Sequence, residues 1–302
     1  MFLENCREQM IERIIEIAET AAFLSLENDL LKIRLPDGKS TTVPVSEIQC
    51  LILSNPALSV SGALLSALAE RGAAVVVCGS NRLPTAMQLP LNGNYIQNEK
   101  FRTQTTATVP LCKRLWQTVI KEKIRQQGKL LLELHKNDFG LMALAEKVNS
   151  GDTENMEGRA AVIYWKNLFN APFQRNRSFP DNNLLLNYGY AILRAMTARA
   201  CCAAGLHPTI GINHHNRYDP YCLADDLMEP FRPVVDKAVY RLNPENSLIG
   251  ELSSPLRKAL LEALLEKQET SRGKWQIAEL LKLYAAQVAD SFVTGEMNLK
   301  YY

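Results

Sequence analysis

A glutamate stands near the start of an otherwise apolar helical pattern in the segment 156–165, MEGRAAVIYW. The residues four and seven positions after Glu157 are Ala161 and Tyr164, so the carboxylate shares a helix face with side chains that favour burial. Such a carboxylate is either an ordinary helix-start acid, stabilised by the helix dipole, or a ligand that points into a site. The position by itself favours the first interpretation.

A histidine follows the helical pattern that ends at Gly205. Pro208 comes directly after His207 and disfavours helical geometry there, which places the imidazole on a stiff corner of the chain. A single histidine is more often structural than a metal ligand. The chain has only four histidines, however, and a metal site that combines nitrogen and oxygen ligands must use one of them.

Two carboxylates three residues apart lie in the segment 223–236, LADDLMEPFRPVVD. Asp226 and Glu229 fall on one helix face, a spacing that converges two carboxylates on one cation. Pro230 and Pro233 remove the hydrogen bonds that would reach the carbonyls of Asp226 and Glu229, and they predict a kink there. The alternative is a helix that starts near Pro230, with acidic residues stabilised by its dipole.

These residues fall in a part of the chain where the apolar pattern is helical. After Pro90 the spacing of apolar residues predicts helices at about 111–136, 139–149, 154–169, 182–204, 221–241, 254–267 and 274–295. Asp181 is typical of a helix start, and the proline-containing stretch 170–181 predicts a loop, as does 206–220.

The first 90 residues have a different pattern, with short β-branched or leucine-rich runs. The predicted strands cover 13–18, 22–26, 30–35, 41–45, 48–53 and 73–78, and one helix is predicted from about Ser61 to Arg71. Turn residues between the runs predict a set of hairpins. The expected fold class is α+β, with a small β-rich N-terminal domain (1–90) followed by a larger all-α catalytic domain (91–302).

Composition excludes several classes of protein. With 302 residues, 47% hydrophobic and 22% charged, the chain is not disordered, collagenous or a coiled coil. No apolar run reaches the roughly 18 residues of a membrane span, and the N-terminus is acidic where a signal peptide is basic. We therefore expect a cytoplasmic protein. The seven cysteines include no CxxC pair, which favours reduced, mostly buried thiols.

The net charge of +2 is unevenly distributed. Residues 100–136 hold nine Lys or Arg against two Glu, whereas residues 1–99 hold seven against eleven acidic residues. The basic block is either the footprint of a polyanionic partner or a solvated helix face.

In this order and spacing, the segments resemble the CRISPR-associated integrase family of the spacer-acquisition module, in its type II version. The resemblance spans nearly the whole chain, and it rests on MEGRAA (156–161), LNYGYAIL (186–193), GLHP (205–208), DDLMEPFRPVVD (225–236) and LLSALAERG (64–72). Residues 1–9 precede the point where the family's first strand usually begins, which leaves Met10 open as the biological start.

The resemblance implies a β-rich domain that forms a homodimer and a helical domain with a divalent-metal site. It implies DNA as substrate, both as spacer precursor and as repeat array, and a small partner protein that joins two dimers in a heterohexamer. The family's metal ligands and catalytic residues fall on Glu157, His207 and Glu229, and Asp226 is the neighbouring acid expected to support them. Two carboxylates and one imidazole suit Mg²⁺ or Mn²⁺. We expect the three ligand side chains to converge within about 10 Å, since a metal holds its ligands at about 2.0–2.5 Å.

Other residues must hold the DNA. The basic candidates adjoin the motifs and are Arg159, Lys166, Arg175, Arg177, Arg217 and Arg232. Adjacent residues rarely chelate one ion together, so His214 and His215 are expected to contact nucleic acid at the surface. Tyr188 and Tyr190 are expected to pack within a helix.

Three functions remain open from the sequence. The first is a spacer integrase that transfers the 3′-hydroxyl of a spacer precursor to a phosphodiester of the repeat and also has endonuclease capability. The second is a metal-dependent, structure-selective nuclease that acts alone and uses water. The third is a helical nucleic-acid scaffold without catalysis, in which the three ligand residues are incidental.

Overall fold

The computed structural model describes residues 13–270 and 273–301. The chain divides into two compact units, Met1–Leu91 and Asn92–Tyr302. The expectations that concern Met10 and Cys6 lie outside the described residues. Among those described, no helix combines the length and the apolar character needed to cross a membrane.

The first unit contains eight strands and one helix in its described part. In chain order they are β1 (Arg13–Ile17), β2 (Phe23–Glu27), β3 (Leu30–Arg34), β4 (Ser40–Pro44), β5 (Ile48–Leu53), β6 (Ser59–Val60), α1 (Gly62–Glu70), β7 (Ala74–Cys78) and β8 (Pro84–Gln88). The short strands β6 and β8 were not foreseen from the sequence.

Each of the two sheets in this unit combines antiparallel and parallel strand pairs. In the sheet β4-β3-β2-β6, strands β2 and β3 are antiparallel and join through Asn28 and Asp29, which both have positive φ angles of 51° and 60°. Such angles are those of a tight hairpin turn. In the sheet β1-β5-β7-β8, by contrast, β5 pairs parallel to both β1 and β7. The predicted hairpins are confirmed for β2–β3 and β3–β4. The parallel pairs of β5 were not predicted, because apolar runs predict strands but not their partners.

Leucines from both sheets and from α1 form one apolar core in the first unit. Leu24, Leu31, Leu51, Leu64 and Leu68 are fully buried in it. On β2 and β3 the core residues alternate with exposed ones, which fixes the register of the hairpin.

The second unit is mostly helical. Its elements are α2 (Gln97–Thr105), α3 (Val109–His135), α4 (Leu141–Ala145), α5 (Met156–Leu168), α6 (Asn182–Ala204), α7 (Cys222–Met228), α8 (Arg232–Leu242), α9 (Ser254–Leu265), β9 (Lys267–Thr270), β10 (Gly273–Gln276) and α10 (Ile277–Thr294). The α+β fold class is confirmed. The all-α description needs one correction, since β9 and β10 form an antiparallel hairpin between α9 and α10.

The predicted helix over 221–241 is broken at the two prolines. Helix α7 ends at Met228, a single 3-10 turn covers Glu229–Phe231, and α8 begins at Arg232. The kink is confirmed, and it sets Glu229 at the junction of two helices.

The cysteines of the described residues are free thiols. Cys50, Cys78, Cys201, Cys202 and Cys222 are buried, and Cys112 is half-buried. The expectation of reduced, mostly buried thiols therefore holds for these six.

Candidate metal centre

The first turn of α5 fixes the position of Glu157. The Asn155 side chain accepts a hydrogen bond from the backbone N–H of Gly158 at 3.0 Å and caps the helix. The carboxylate of Asp152 accepts from the N–H groups of Met156 and Glu157 at 2.8 and 3.0 Å. With its backbone held in this way, Glu157 presents a half-buried carboxylate from the start of the helix.

Glu229 is placed by the break between α7 and α8. Its residue exposure is only 4%, so the carboxylate faces the interior of the second unit. A buried carboxylate needs compensating positive charge. The guanidinium of Arg232, one turn further on, supplies part of it, with Nη2 at 2.9 Å from Oε1 of Glu229.

The two glutamates meet at one ammonium group. The Nζ atom of Lys123, on α3, lies 2.6 Å from Oε1 of Glu157 and 2.6 Å from Oε2 of Glu229. The two carboxylate oxygens therefore lie no further apart than twice that distance. A pair of carboxylates this close is able to share one cation, as two of the three predicted ligands must.

The positive groups keep Glu229 ionised. Burial by itself disfavours the charged form, but Arg232 and Lys123 outweigh it and lower the pKa of Glu229 to about 2. Burial also opposes the charge on Lys123, yet the two glutamates raise the pKa of this ammonium above its ordinary value. Glu229 is therefore a charged carboxylate, the form that binds metal.

His207, the third predicted ligand, is held at a corner of the chain beside α2. Its backbone N–H donates to Oε1 of Gln104 at 2.8 Å, and its carbonyl accepts from Nε2 of the same buried side chain at 3.0 Å. The imidazole packs edge-on against Phe101 with ring centroids 5.3 Å apart, and its Nδ1 accepts from the N–H of Thr209 at 3.3 Å. These contacts fasten a corner of the chain to α2, so the structural interpretation of this histidine applies.

A second histidine, His214, interacts with the charges of the two glutamates. Hydrogen bonding to Asp226 raises the pKa of its imidazole against the effect of burial, and the negative charges of Glu229 and Glu157 contribute to the same shift. The ring also packs edge-on against Trp116 of α3, with centroids 5.5 Å apart. The sequence analysis did not assign His214 as a metal ligand, because adjacent residues rarely chelate one ion together. Its neighbour, His215, is exposed.

A fully buried carboxylate, that of Asp226, holds His214 and its loop. Its Oδ2 accepts the backbone N–H groups of Ile212 and Asn213 at 2.6 and 2.9 Å, and its Oδ1 pairs with Nδ1 of His214. Metal-binding histidines are commonly oriented by a carboxylate on the second ring nitrogen. Asp226 thus supports an imidazole, as expected of it, but the imidazole is that of His214. A sequence signal existed: Asp226 lies only three residues before Glu229, and a carboxylate that is buried needs a partner.

The donor set fits a hard divalent cation. Two carboxylates and one imidazole whose Nδ1 is engaged leave Nε2 of His214 and the oxygens of Glu157 and Glu229 as available donors. Oε2 of Glu229 is buried and has no hydrogen bond of proper geometry, although Lys123 lies 2.6 Å away. Within the described residues no three His, Cys, Asp or Glu side chains already stand at metal-binding spacing. Lys123 occupies the place between the carboxylates that a cation would take.

Two of the six predicted DNA-binding residues are engaged inside the protein. Arg175 donates to Oδ1 of Asn183 at 2.7 Å and to Oδ1 of Asn187 at 2.8 Å, which ties the 170–181 loop to α6. Arg232 is half-buried and pairs with Glu229. These contacts favour a structural role for both side chains, because each serves internal acceptors. The other four are exposed: Arg159, Lys166, Arg177 and Arg217.

Behind the glutamates lies a buried polar cluster that sequence reasoning missed. The carboxylate of Asp236 accepts hydrogen bonds from the hydroxyls of Tyr164, at 2.7 Å, and Tyr190. The Arg232 guanidinium lies over the Tyr190 ring at 4.6 Å from its centroid. Tyr188 and Tyr190 are buried, as the packing interpretation predicted.

Sequence comparison identifies the family. Residues 15–252 match the family described as CRISPR associated protein Cas1. The chain is 38% identical over 247 residues to the CRISPR-associated endonuclease Cas1 of Neisseria meningitidis serogroup C, covering 80% of this chain and 79% of that protein. It is 23% identical over 311 residues to a Cas1 endonuclease of Saccharolobus solfataricus, covering 94% and 96% of the two chains.

The fold is also shared with solved structures. A Cas1 protein from Thermotoga maritima has a TM-score of 0.77 at 15% identity, covering 96% of this chain and all of that one. A casposase bound to integration product has a TM-score of 0.76 at 17% identity, covering 95% and 92%. A Cas6-RT-Cas1–Cas2 complex matches with a TM-score of 0.76 at 17% identity, covering the whole of this chain and 37% of that one.

These findings confirm the resemblance and the enzyme class. The Neisseria relative belongs to a type II system, the family is one of endonucleases and integrases, and it is generally metal-dependent. By its sequence match over most of its length, this chain belongs to the CRISPR-associated Cas1 family.

Proposed function

We propose that this chain is a spacer integrase whose divalent cation is held by Glu157, Glu229 and His214, with Asp226 orienting the imidazole. The observation that carries the proposal is the meeting of Glu157 and Glu229 at the Lys123 ammonium, 2.6 Å from each. His214 packs against Trp116 of the same helix. His207 has no place in the proposed centre, because its contacts fix a corner on α2.

The cation is Mg²⁺ or Mn²⁺. Carboxylate oxygens are the ligands that both ions prefer, and a single imidazole is compatible with Mn²⁺ in particular. When bound, the ion lowers the pKa of the attacking hydroxyl and offsets charge that develops on the phosphate oxygens. A structural zinc site would require four closed protein ligands, which this donor set does not offer.

The reaction exchanges one phosphodiester bond for another. The 3′-hydroxyl oxygen of the spacer precursor bonds to a phosphorus of the repeat and loses its proton to solvent. The bond from that phosphorus to the 3′-oxygen of the repeat strand breaks, and this oxygen takes up a proton. Buried Glu229 remains an ionised acceptor throughout, and Arg232 keeps it fixed beside Lys123. With water in place of the hydroxyl, the same groups would support endonuclease activity.

Exposed basic side chains are proposed to hold the DNA. Arg159 and Lys166 project from α5, which carries Glu157, while Arg177 and Arg217 lie on the loops that flank α6 and α7. Arg217 also lies over the ring of Tyr218, which is 80% exposed. Phosphate contacts of this kind position DNA without reading its sequence.

Assembly with further chains is part of the proposal. Among the structural relatives are a Cas1–Cas2 complex and a casposase with its integration product. We propose that this chain forms a homodimer through its first unit and a heterohexamer with a small partner protein of the Cas2 kind. The repeat array is genomic DNA, so the proposed location is the cytoplasm.

A stand-alone nuclease would use the same metal site as the integrase, whereas a non-catalytic scaffold would not use that site.

The experiment that distinguishes these functions incubates the protein with a labelled duplex that has 3′-hydroxyl ends and with a repeat-containing plasmid, in Mg²⁺ or Mn²⁺. Label should appear in the plasmid only with 3′-hydroxyl ends and not with 3′-dideoxy ends. Cleavage that ignores the 3′ end would favour the nuclease. Binding of DNA without strand transfer or cleavage in either ion, with affinity unchanged in Glu229→Gln, would favour the scaffold.

A further inference from the structure

One face of α3 contacts all three residues proposed as ligands. Trp116 packs against His214, and Lys123, seven residues later, contacts Glu157 and Glu229. Seven residues are close to two helical turns, so the two side chains lie on the same side of α3. The helix is 27 residues long and places the ammonium at a fixed depth in the site.

The ammonium of Lys123 contacts the carboxylates of Glu157 and Glu229 with different geometry. Its contact with Oε1 of Glu157 is a hydrogen bond of normal geometry. Its contact with Oε2 of Glu229 has the short distance of an ion pair, but this buried oxygen is otherwise without a hydrogen bond. Lys123 therefore acts here mainly through its charge, at a point where a metal ion would satisfy both oxygens.

The charges of the site balance without a metal ion. Glu157 and Glu229 carry two negative charges, and Lys123 and Arg232 carry two positive ones. A divalent cation added to this set leaves an excess of positive charge, even when the carboxylate of Asp226 behind His214 is counted. In a buried site such an excess is strongly unfavourable.

We propose that Lys123 is a resident counter-ion that holds Glu157 and Glu229 together without metal and makes metal loading depend on DNA. The cation has to displace the ammonium from between the carboxylates, and the displaced charge opposes the ion as long as no further anion is present. DNA phosphates supply that anion. Metal and DNA therefore bind with positive coupling, which by linkage acts in both directions. This inference rests on the proposed metal site.

The test measures Mn²⁺ binding by electron paramagnetic resonance, with and without a duplex that has 3′-dideoxy ends, and with the duplex alone as a blank. For the wild-type chain we expect weak binding that DNA strengthens by about tenfold or more. Lys123→Met keeps most of the side-chain length and removes the charge. It should bind Mn²⁺ tightly without DNA, and the effect of DNA should be much smaller.

A matched control lies on the same helix. Lys121 also forms an ion pair at 2.6 Å, but with Glu146 outside the site, so Lys121→Met should bind Mn²⁺ as the wild type does. Lys123→Arg keeps the charge and should not bind more tightly than the wild type. Thermal unfolding gives a second readout: Lys123→Met should unfold at a lower temperature than wild type without metal and regain the difference in Mn²⁺. If Lys123→Met proves too unstable for titration, Lys123→Gln replaces it.

The outcomes separate this inference from the proposed function. If Lys123→Met binds Mn²⁺ no more tightly than the wild type, while Glu157→Gln abolishes binding, the counter-ion role is overturned and the metal site stands. If Lys123→Met binds tightly but DNA strengthens it as much as the wild type, the coupling is overturned. If no variant shows a site that Glu157→Gln removes, the metal centre itself is wrong.

Discussion

At the scale of single residues, the surroundings of Glu229 are built to keep its charge in place. Arg232 contacts Glu229 on one side and lies over the ring of Tyr190 on the other. The hydroxyl of Tyr190 is in turn held by Asp236, which also accepts from Tyr164. Each link orients the next, so rotation of the Arg232 guanidinium away from Glu229 would cost the contacts with Tyr190. The polar groups that flank the metal centre are therefore preorganised by buried side chains.

Asp236 should make the stability of the protein depend on pH. Burial raises its pKa from 3.8 to about 6, against the opposing effect of the two tyrosine hydroxyls. The folded carboxyl binds its proton more tightly than the unfolded one, so stability is present below pH 4 and is lost as the pH rises towards 6. The loss amounts to about 3 kcal/mol, from about 1.4 kcal/mol for each pKa unit.

Urea unfolding at a series of pH values checks this expectation. Asp236→Asn removes the titrating group and keeps an oxygen that accepts a tyrosine hydroxyl. Its free energy of unfolding should change less between pH 4 and 6 than that of the wild type. Parallel curves for the two proteins would show that Asp236 ionises in the folded state as it does in the unfolded one.

Alanine substitutions of His214 and His207 should have different effects on the rate of strand transfer. His214→Ala removes a proposed ligand, and strand transfer should fall by about a hundredfold or more with little change in DNA affinity. His207→Ala loses a ring contact with Phe101 but keeps both backbone bonds to Gln104, so its transfer rate should stay within a few-fold of wild type.

Integration assays in Mn²⁺, with DNA binding measured in parallel, distinguish the two. An inactive His207→Ala beside an active His214→Ala would restore the assignment made from the sequence. Loss of DNA binding in His214→Ala would mean that the residue acts on the substrate and not on the metal.

At the scale of elements, the break between α7 and α8 is the feature that the sequence predicted most directly. Two prolines three residues apart have a direct backbone consequence, and the 3-10 turn at Glu229–Phe231 is that consequence. Local rules of this kind do not predict contacts between residues that are far apart in the sequence. The packing of α3 and α5 against the junction of α7 and α8 brings Glu157 and Glu229 to Lys123 and His214 to Trp116. No spacing in the sequence encodes this packing. The parallel pairing of β5 with β1 and β7 escaped prediction for the same reason.

The hairpin between α9 and α10 was missed for a local reason. The residues Lys267–Thr270 (KQET) and Gly273–Gln276 (GKWQ) are mostly polar and cover only four positions each. Runs this short are ambiguous between strand and helix end. The segments on both sides have a strong helical pattern, so the sequence predicts helices over 254–267 and 274–295 and no strands between them.

The loop 170–181 offers a matched pair of arginines with opposite expected roles. Arg175 is tied to Asn183 and Asn187 of α6, and its replacement by Ala leaves two amide oxygens without this partner. We expect Arg175→Ala to lower the free energy of unfolding by about 1–3 kcal/mol. Arg177 is exposed, so Arg177→Ala should leave stability unchanged within about 0.5 kcal/mol.

For DNA binding, Arg177→Ala should have the larger effect and Arg175→Ala the smaller one. If Arg177 contacts a phosphate, Arg177→Ala weakens binding and reduces the slope of log affinity against log salt by about 1. Urea unfolding and salt-dependent anisotropy titrations on both variants test the pair. A changed salt slope in Arg175→Ala with normal stability would mean that this arginine leaves Asn183 and Asn187 to contact DNA.

At the scale of the whole molecule, the two units differ in what they expose. The first unit has its own apolar core, and its sheets end in the edge strands β4, β6, β1 and β8. Edge strands carry backbone groups that pair with further strands unless they are covered. A two-fold partner would cover such an edge, since symmetric dimers place the same surface of each copy in contact. The second unit carries the metal centre and the exposed basic side chains.

We therefore expect the full chain to sediment as a dimer of about twice 33.9 kDa at micromolar concentration. The fragment 1–91 should also dimerise, because its core is self-contained, whereas the fragment from residue 92 onwards should remain a monomer. Backbone pairing at a strand edge involves no net charge, so the dimer should persist when salt is raised to a level that abolishes DNA binding. A monomeric full chain, or a dimer formed by the second fragment alone, would contradict assembly through the first unit and would move the proposed interface to the helical part of the chain.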